Sequence, residues 1–355
     1  MITSQKSPWI LVTGAAGFIG SAYLREALAQ GRRIVVLDAL TYAGHLGNIQ
    51  PLLAAEKCEF IKGDIGDFDL VSGLFEKYLF QAVVHFAAES HVDNSISGPW
   101  AFVKTNIIGT FNLLEVSRKH WSAWGNRIET ADLKKSFRFV HVSTDEVYGE
   151  LGPEGMFSEN SPLAPNSPYS ASKASSDMLV RAWHHTYGLP TITTNCSNNY
   201  GPRQFPEKLI PRMIVNALKG EALPVYGKGA NVRDWIHVED HARGVHLALE
   251  KGKIGETYCF GGNSERANLK VVELICHELD QKIPRKEKKS YREQIQFVTD
   301  RLGHDFRYAI DDNKAQRELG FARKYLDLES GLKQTVAWYL ENAEWLAAVA
   351  DKQGK

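Results

Sequence analysis

Residues 9–20 read WILVTGAAGFIG, an apolar run that leads into a glycine-rich loop. The run before the glycines predicts a buried β-strand, and the helical spacing of apolar residues after them predicts an α-helix over residues 18–30. Gly14 suits the tight turn, Gly17 admits a pyrophosphate to the backbone, and Gly20 lets the helix sit close on a sheet. Because amide groups at a helix start favour a phosphate anion, the stretch predicts a dinucleotide-binding unit.

Further apolar runs alternate with helical patterns along the following chain. Strands are predicted over residues 33–38, 58–64, 82–86, 137–143 and 191–196, and helices over residues 101–121 and 169–187. Such an alternation is typical of a parallel sheet with helices on both faces. The sequence therefore predicts an α/β protein with a Rossmann-type doubly wound parallel sheet.

A change of rhythm after Asn198 indicates a second, smaller α+β domain at the C-terminal side. Four prolines break the alternation into shorter elements there, at positions 202, 206, 211 and 224. We expect an NAD-binding domain over residues 1–197, to which residues from about 233 to 262 return. Residues 198–232 and 263–355 are then expected to form the substrate domain.

Composition and charge exclude several classes of partner. The 355 residues include 42 Lys plus Arg and 42 Asp plus Glu, so no global field favours nucleic acid or an anionic membrane. No run of 18 apolar residues and no signal peptide are seen, and the four cysteines form no C-x-x-C pair. We expect a cytoplasmic protein without a structural metal.

The end of the second predicted strand carries the residue that favours NAD over NADP. Asp38 follows Gly20 by 18 residues, where a carboxylate accepts from the ribose hydroxyls and repels a 2′-phosphate. Asp64, after the third strand, is placed to meet the adenine, although it could instead cap a helix. The predicted cofactor-binding set at these strand ends and in the glycine loop also includes Phe18, Ile19, Ala39, Leu40, Thr41, Ile65, Phe86, Ala87 and Ala88.

Tyr169 and Lys173 predict a proton-transfer site beside this cofactor. At positions i and i+4 they share one helix face, so the ammonium is expected to lower the phenol pKa and to hold the nicotinamide ribose. An ionised phenol can then act as general base. Thr144, after the fifth strand, would supply a hydrogen-bond donor.

Asp145 and Glu146, next to Thr144, indicate chemistry beyond oxidation of an alcohol. Two acids beside a hydride-transfer site suggest elimination of water, although each could instead cap a helix or pair with a surface base. Because adjacent strand residues face opposite sides of a sheet, both acids can reach one substrate only if the chain turns after Ser143.

These residues together resemble the extended short-chain dehydrogenase/reductase superfamily. Further motifs are STDEVYG (143–149), YSASKA (169–174), NNYGP (198–202), FPEKLIP (205–211), RDW (233–235) and GHD (303–305). Together they are similar to the motifs of the dTDP-glucose 4,6-dehydratase family. The resemblance extends from about Trp9 to Trp345.

The resemblance implies a reaction on a nucleotide sugar. Tyr169 would take the proton of the 4-hydroxyl while a hydride passes from carbon 4 to NAD. Glu146 would then remove the proton on carbon 5, Asp145 would protonate the departing 6-hydroxyl, and the hydride would return to carbon 6. The alternatives are dehydration of UDP-glucose, and a 4-epimerase, which needs no acid pair. An NAD sensor without activity would lack Tyr169, Lys173 or Thr144.

The resemblance also implies binding residues and a partner. Ser90, Thr105 and Asn199 are implied as cofactor contacts. The nucleotide-sugar contacts, besides Thr144, are Ser90, Asn198, Lys208, Leu209, Pro224, Tyr226, Arg233, Asn268, Arg301, His304 and Tyr308. Forked donors such as Arg233 and Arg301 suit a diphosphate. A homodimer through helices around 101–121 and 169–187 is also implied.

The sequence departs from the family pattern at a few positions. They are Asn94, Arg203, Gln204, Cys259, Phe260 and Leu302. None lies among the predicted proton-transfer groups, so the reaction type is more secure than the nucleotide or sugar specificity.

Overall fold

The computed structural model describes residues 8–124, 131–300 and 303–353. Its strands are β1 (Trp9–Thr13), β2 (Arg33–Asp38), β3 (Cys58–Lys62), β4 (Phe80–His85), β5 (Arg138–Val142), β6 (Thr191–Cys196), β7 (Asn198–Tyr200), β8 (Leu223–Tyr226), β9 (Val232–His237), β10 (Thr257–Phe260), β11 (Glu265–Ala267) and β12 (Ile295–Val298).

The helices mostly fill the intervals between these strands. They are α1 (Phe18–Ala29), α2 (Phe68–Lys77), α3 (Val92–Ser97), α4 (Pro99–Phe102), α5 (Thr110–Trp124), α6 (Ala131–Ser136), α7 (Pro168–Tyr187), α8 (Leu209–Lys219), α9 (Val238–Lys251), α10 (Asn268–Lys282), α11 (Asn313–Leu319), α12 (Leu328–Glu341) and α13 (Ala343–Gln353). Short 3₁₀ helices span Leu46–Asn48, Gln50–Leu52, Asp145–Tyr148 and Tyr291–Gln294, and a π-helical segment spans Val103–Gly109.

The central sheet has seven parallel strands in the order β10-β6-β5-β4-β1-β2-β3. The chain runs outward from β1 to β3 and then crosses to the other side through β4, so the strand order reverses between β1 and β4. In open α/β sheets, ligands bind outside the carboxyl ends of the strands at such a switch point. The predicted Rossmann-type fold is confirmed.

Alternation along β1 divides the core of this part into two layers. Ile10 and Val12 pack in a cluster with Tyr23 of α1. Leu11, between them, packs on the other face with Phe75 of α2 and residues of α5 and α7. Because both faces are covered by helices, the strand is apolar at nearly every position.

A separate core lies in the C-terminal part, where α8, α10 and α12 pack around Tyr200. Two small sheets accompany it, with strand orders β11-β9-β7 and β12-β8. Strand β10 pairs with β6 in the large sheet, whereas β9 pairs with β7 and β11. The division of the chain into two domains at the boundaries given above stays a prediction.

The predicted helix over residues 101–121 differs most from the structure. It is formed by α4, the π-helical segment and α5 in succession. In the π-helical segment, the buried Asn106 side chain accepts from the Glu89 N–H (2.9 Å) and donates to the Ser172 hydroxyl (2.8 Å). π-Helical turns are frequent at functional sites, and periodicity alone does not distinguish them from a regular helix.

Candidate active site

A cleft runs along the carboxyl ends of the central strands and continues toward the C-terminal core. Its first part, the cofactor lobe, is lined by residues of the glycine loop, the ends of β2 to β6 and α7, including Gly17, Asp38 and Tyr169. Its second part, the second lobe, is lined by residues from α8, β8, β9 and α10 and by residues near 304. Glu146, Asn198, Glu207 and Lys208 line both parts.

The glycine loop is shaped by close backbone approaches. Gly14 has φ +72°, and a Cβ added there would lie 2.5 Å from the Ala87 nitrogen. A Cβ on Gly20 would overlap the Gly14 carbonyl. Side chains at these positions are therefore excluded, and the loop leaves the start of α1 open to a phosphate group.

Asp38 ends β2 beside this loop. Its carboxylate accepts from the Ala16 N–H and the Leu40 N–H, both at 2.8 Å. A carboxylate has about four acceptor positions, so it can also accept from a ribose hydroxyl. The glycine loop together with this carboxylate fits NAD.

Most of the predicted cofactor residues line the cofactor lobe. They are Gly14, Gly17, Phe18, Ile19, Gly20, Asp38, Ala39, Thr41, Asp64, Ile65, Phe86, Ala87, Ala88, Ser90, Thr105, Tyr169, Lys173 and Asn199. Leu40 lies outside this lining and supports Asp38 through its backbone N–H, so its contact with the cofactor stays a prediction. Asp64 does not cap α2: it accepts from the Gly66 N–H, while Asp67 caps the helix.

The chain turns after Ser143, as the two acids require. Thr144 is the N-cap of the 3₁₀ helix Asp145–Tyr148, and its hydroxyl accepts from the Glu146 N–H at 3.3 Å. A 3₁₀ helix places successive side chains about a third of a turn apart, whereas a strand would place them on opposite faces. Both acids consequently line the cofactor lobe.

Asp145 is held in an environment that favours its protonated form. It is 1% exposed, and its Oδ2 has no hydrogen-bond partner among the described residues. Burial raises the pKa of this carboxyl well above its usual range, and the charges of Glu146 and Asp234 raise it further. An acid of this kind can carry a proton at neutral pH.

Tyr169 and Lys173 lie on one face of α7, in the wall of the cofactor lobe. Burial raises the pKa of the Tyr169 phenol well above 10, Glu146 adds to this, and a hydrogen bond with Thr144 opposes it. Burial also lowers the pKa of Lys173, whose Nζ donates to the Val142 carbonyl at 2.9 Å. The expected lowering of the phenol pKa by Lys173 is therefore wrong for this structure, because desolvation is the largest effect on both groups.

The predicted nucleotide-sugar contacts fall mainly in the second lobe. It is lined by Asn198, Lys208, Leu209, Pro224, Tyr226, Arg233, Asn268, His304 and Tyr308. Ser90 and Thr144 lie in the cofactor lobe, and the Ser90 carbonyl accepts from Lys208 Nζ at 2.7 Å. Arg301 lies outside the described residues.

The Arg233 guanidinium is fixed by the backbone around it. It donates to the carbonyls of Asp305 (2.8 Å) and Phe306 (3.2 Å) and lies 4.3 Å above the Tyr308 ring. These contacts fix the orientation of the guanidinium, but they occupy some of its N–H donors. Asn198 and Asn268 each keep a buried amide oxygen without a hydrogen-bond partner among the described residues.

Glu207 is a lining residue that the sequence prediction missed, although it stands beside Lys208 in the quoted FPEKLIP motif. It lies where the two lobes meet and accepts from the Tyr42 hydroxyl at 3.3 Å. Burial raises the pKa of its carboxyl. Glu89 in the cofactor lobe and Arg212 in the second lobe were also missed.

The fold and this site define an NAD-binding enzyme of the extended short-chain dehydrogenase/reductase class. A family model described as GDP-mannose 4,6 dehydratase matches residues 11–335. The chain is 57% identical to a dTDP-glucose 4,6-dehydratase of Xanthomonas campestris pv. campestris, over 96% of this chain and 95% of that protein. It is 54% identical to the dTDP-glucose 4,6-dehydratase of Salmonella typhimurium, over 95% of this chain and 94% of that protein. The chain belongs to the dTDP-glucose 4,6-dehydratase family.

Solved structures show the same relation. The dTDP-glucose 4,6-dehydratase DesIV from Streptomyces venezuelae, crystallised with NAD, is 44% identical, with a TM-score of 0.86 over 96% of this chain and 99% of that one. A UDP-glucose 4-epimerase from Thermotoga maritima is 29% identical, with a TM-score of 0.81 over 94% of this chain and 99% of that one. The fold alone therefore does not separate a dehydratase from an epimerase.

Within the described part of the chain, the helices are too short or too polar to span a bilayer.

Proposed function

We propose that this protein converts dTDP-glucose to dTDP-4-keto-6-deoxyglucose with NAD as a cofactor that is returned unchanged. The observation that carries the proposal is the 3₁₀ turn that places Asp145 and Glu146 in the same lobe as Tyr169. A 4-epimerase of the same fold needs oxidation and reduction at carbon 4 but no acid and base for elimination. The acid pair therefore favours dehydration.

When bound in the cofactor lobe by the glycine loop, Asp38 and Lys173, NAD would supply hydride transfer from carbon 4 and back to carbon 6, and its cationic ring would favour ionisation of a nearby phenol. Tyr169 takes the proton of the 4-hydroxyl. Burial raises the pKa of this phenol in the protein alone, so the charge of the cofactor is needed to favour the ionised form that accepts the proton of the alcohol. Thr144 holds the phenol by a hydrogen bond, and Lys173 presents its ammonium on the same face of α7 for the nicotinamide ribose.

The 4-ketone makes the proton on carbon 5 acidic, and the two acids then share the elimination. Glu146 takes that proton, while Asp145 gives its proton to the 6-hydroxyl, which leaves as water. The environment of Asp145 supports this division, because its raised pKa keeps the proton available. A neutral Asp145 also removes a like charge beside Glu146, the proposed base.

The second lobe is proposed to hold the nucleoside diphosphate. Arg233 and Lys208 supply positive charge for the diphosphate. The buried amide oxygens of Asn198 and Asn268, which lack a partner among the described residues, can accept from hydroxyl or N–H groups of the sugar or base. Arg301 is proposed to assist from outside the described residues. We also propose that residues 198–232 and 263–355 form the nucleotide-sugar domain and that the remainder, with 233–262, forms the NAD-binding domain.

A homodimer is proposed through the helices around 101–121 and 169–187. Large apolar side chains are exposed on this side, among them Trp100 (67%), Met178 (54%) and Phe111 (44%). A second copy of the chain would cover them. Location in the cytoplasm is proposed because the four cysteines are free and buried, as is usual in a reducing compartment.

The test is incubation of the purified protein with dTDP-glucose or UDP-glucose without added reductant. We expect the alkaline absorbance of a 4-keto-6-deoxy sugar from dTDP-glucose, with slower or no formation from UDP-glucose. Faster reaction of UDP-glucose would reassign the nucleotide. A galactose derivative in place of any keto sugar would show that the enzyme is an epimerase.

A further inference from the structure

The C-terminal helix α13 contacts, from the far end of the chain, the segment that supports the glycine loop. Its Trp345 packs against Trp338 and Tyr339 at the end of α12, with ring centroids 5.1 and 6.1 Å apart. The indole Nε1 donates to the Asn48 Oδ1 at 2.7 Å. His45 meets the same indole edge-on at 6.2 Å. The hydrogen bond between Trp345 and Asn48 joins residues that lie 297 positions apart in the sequence.

Asn48 in turn holds the glycine loop. It is 3% exposed, and its Nδ2 donates to the Ala16 carbonyl at 2.8 Å. The His45 N–H donates to the same carbonyl at 3.0 Å. The Ala16 N–H donates to Asp38 at 2.8 Å, so both ends of this alanine are fixed, one of them by the carboxylate expected to meet the ribose.

The indole determines which way the Asn48 amide faces. An indole nitrogen is a donor only, whereas an asparagine amide has one accepting and one donating end. With Trp345 bonded to Oδ1, the Nδ2 group must face Ala16. Without that donor, only the Ala16 carbonyl opposes a rotation of the amide that would bring two acceptors together, so the orientation is held less firmly.

The same helix pair contacts the cofactor lobe at a second place. The Tyr339 hydroxyl donates to the Gln204 carbonyl at 2.6 Å. Gln204 lines the cofactor lobe, and its side chain donates to the Asn199 carbonyl at 2.9 Å. The contact of Trp345 is thus part of a packed support beneath this lobe.

We propose that Trp345 is a positioning residue for NAD: it orients the Asn48 amide, which holds Ala16 and thereby the glycine loop in the shape that binds the pyrophosphate and ribose. The inference rests on the NAD site of the proposed function, and it adds the C-terminal helix to the residues that determine cofactor affinity.

The test is release of radiolabelled NAD from the loaded, full-length protein after a chase with unlabelled NAD. Trp345→Phe keeps an aromatic ring but removes the donor. Loss of one neutral hydrogen bond predicts release faster by about threefold to tenfold. Trp338→Phe is the matched control, because it makes the same change in the same cluster and leaves the Trp345–Asn48 bond in place. We expect its release rate to stay within about twofold of the parent, a difference smaller than one hydrogen bond.

A double-mutant cycle separates positioning from general stabilisation. In an Asn48→Ala background, Trp345→Phe is expected to add no further increase in the release rate, because the group through which it acts is gone. An equal increase in both backgrounds would overturn the proposal. So would a lowered melting temperature with an unchanged release rate in the single variant.

If Trp345→Phe does not fold, Asn48→Asp tests the same route. The aspartate keeps an acceptor for Trp345 but presents an oxygen to the Ala16 carbonyl, so NAD release should again be faster; an unchanged rate would refute the proposal. All of these measurements use NAD without sugar. The NAD-release measurements can therefore be interpreted even if the dehydratase assay fails.

Discussion

The glycine-loop part of the cofactor lobe is walled by backbone and small side chains, whereas much of the second lobe is walled by charged and aromatic side chains. In the first, Gly14 and Ala87 approach so closely that no Cβ fits between them. In the second, Arg233, Tyr226 and His304 surround the space. The glycine loop selects its ligand by shape and by its backbone N–H groups, whereas the second lobe selects by the charges of its side chains. Substitutions in the first are therefore expected to change NAD release, and substitutions in the second to change binding of the nucleotide sugar.

Glu146 lies where the lobes meet, and its replacement should have the largest effect. Glu146→Gln is expected to oxidise dTDP-glucose but not eliminate water, because the base for carbon 5 is lost, and overall turnover should fall by about 10²–10⁴-fold. Enzyme-bound NADH should accumulate at 340 nm, without solvent exchange at carbon 5. Glu154→Gln, at an exposed position nearby, should turn over normally. Normal turnover by Glu146→Gln would reject Glu146 as the base.

Gly14→Ala should break the cofactor lobe and leave the second lobe intact. The new Cβ would lie 2.5 Å from the Ala87 nitrogen at a φ of +72°. Strain of this kind costs about 1–3 kcal/mol, so we expect NAD release to be about tenfold to a hundredfold faster. Gly73→Ala is the control, since nothing lies within 4 Å of the added Cβ; that variant should be more stable by about 1 kcal/mol, because alanine favours a helix. Equal NAD release from both variants would contradict the role of Gly14.

Arg233→Lys should weaken binding in the second lobe and leave the cofactor lobe unchanged. A lysine cannot reproduce the planar fork of donors, so the dissociation constant for dTDP-glucose should rise by about tenfold, the loss expected for one charge-assisted hydrogen bond. NAD release should not change. Arg266→Lys is a matched control: Arg266 stands opposite Arg233 on β11, and its guanidinium pairs with Glu329. A parallel loss of NAD affinity in Arg233→Lys would show that the two lobes are not separable.

Asp145→Asn removes the proposed acid for the 6-hydroxyl and should lower turnover, but its effect on stability and on the pH dependence of stability should be the smallest of these effects. The pKa of Asp145 is raised in the folded chain, so the folded state binds the proton more tightly than the unfolded state. The stability from this group is complete below the unfolded pKa and is lost as pH rises toward the folded pKa. A neutral amide avoids that loss. Thermal unfolding at pH 7 should shift upward by about 2–4 °C, on the order of 1 kcal/mol, with no gain at pH 3. An equal gain at both pH values would contradict the raised pKa.

The strands of the large sheet were predictable because buried apolar runs stand between turn residues. β1, β2 and β6 have the predicted bounds. The π-helical segment at Val103–Gly109 was not predictable, since its residues keep a helical apolar spacing. Its distinguishing feature is the bonding of Asn106 to Glu89 and Ser172, and those partners come from other parts of the chain.

Part of the candidate site was likewise predictable from the sequence, and part of it was not. The glycine loop and Asp38 were found from local spacing, because backbone geometry over a few residues makes that site. The second lobe was reached through the resemblance to a family, since no local pattern joins β8, β9 and α10. Glu207 was missed although it was quoted in a motif, because only the fold shows that it lies between the lobes.

The sequence by itself determined the fold class, the NAD site and the identity of the acid pair, since these depend on residue types at short spacings. The tertiary structure decided the rest. It showed that the chain turns after Ser143, that burial raises the Tyr169 pKa against the expected influence of Lys173, and that Trp345 reaches Asn48. The physical reason is that desolvation and hydrogen bonds between distant segments depend on what surrounds a group in space, which its neighbours along the chain do not specify.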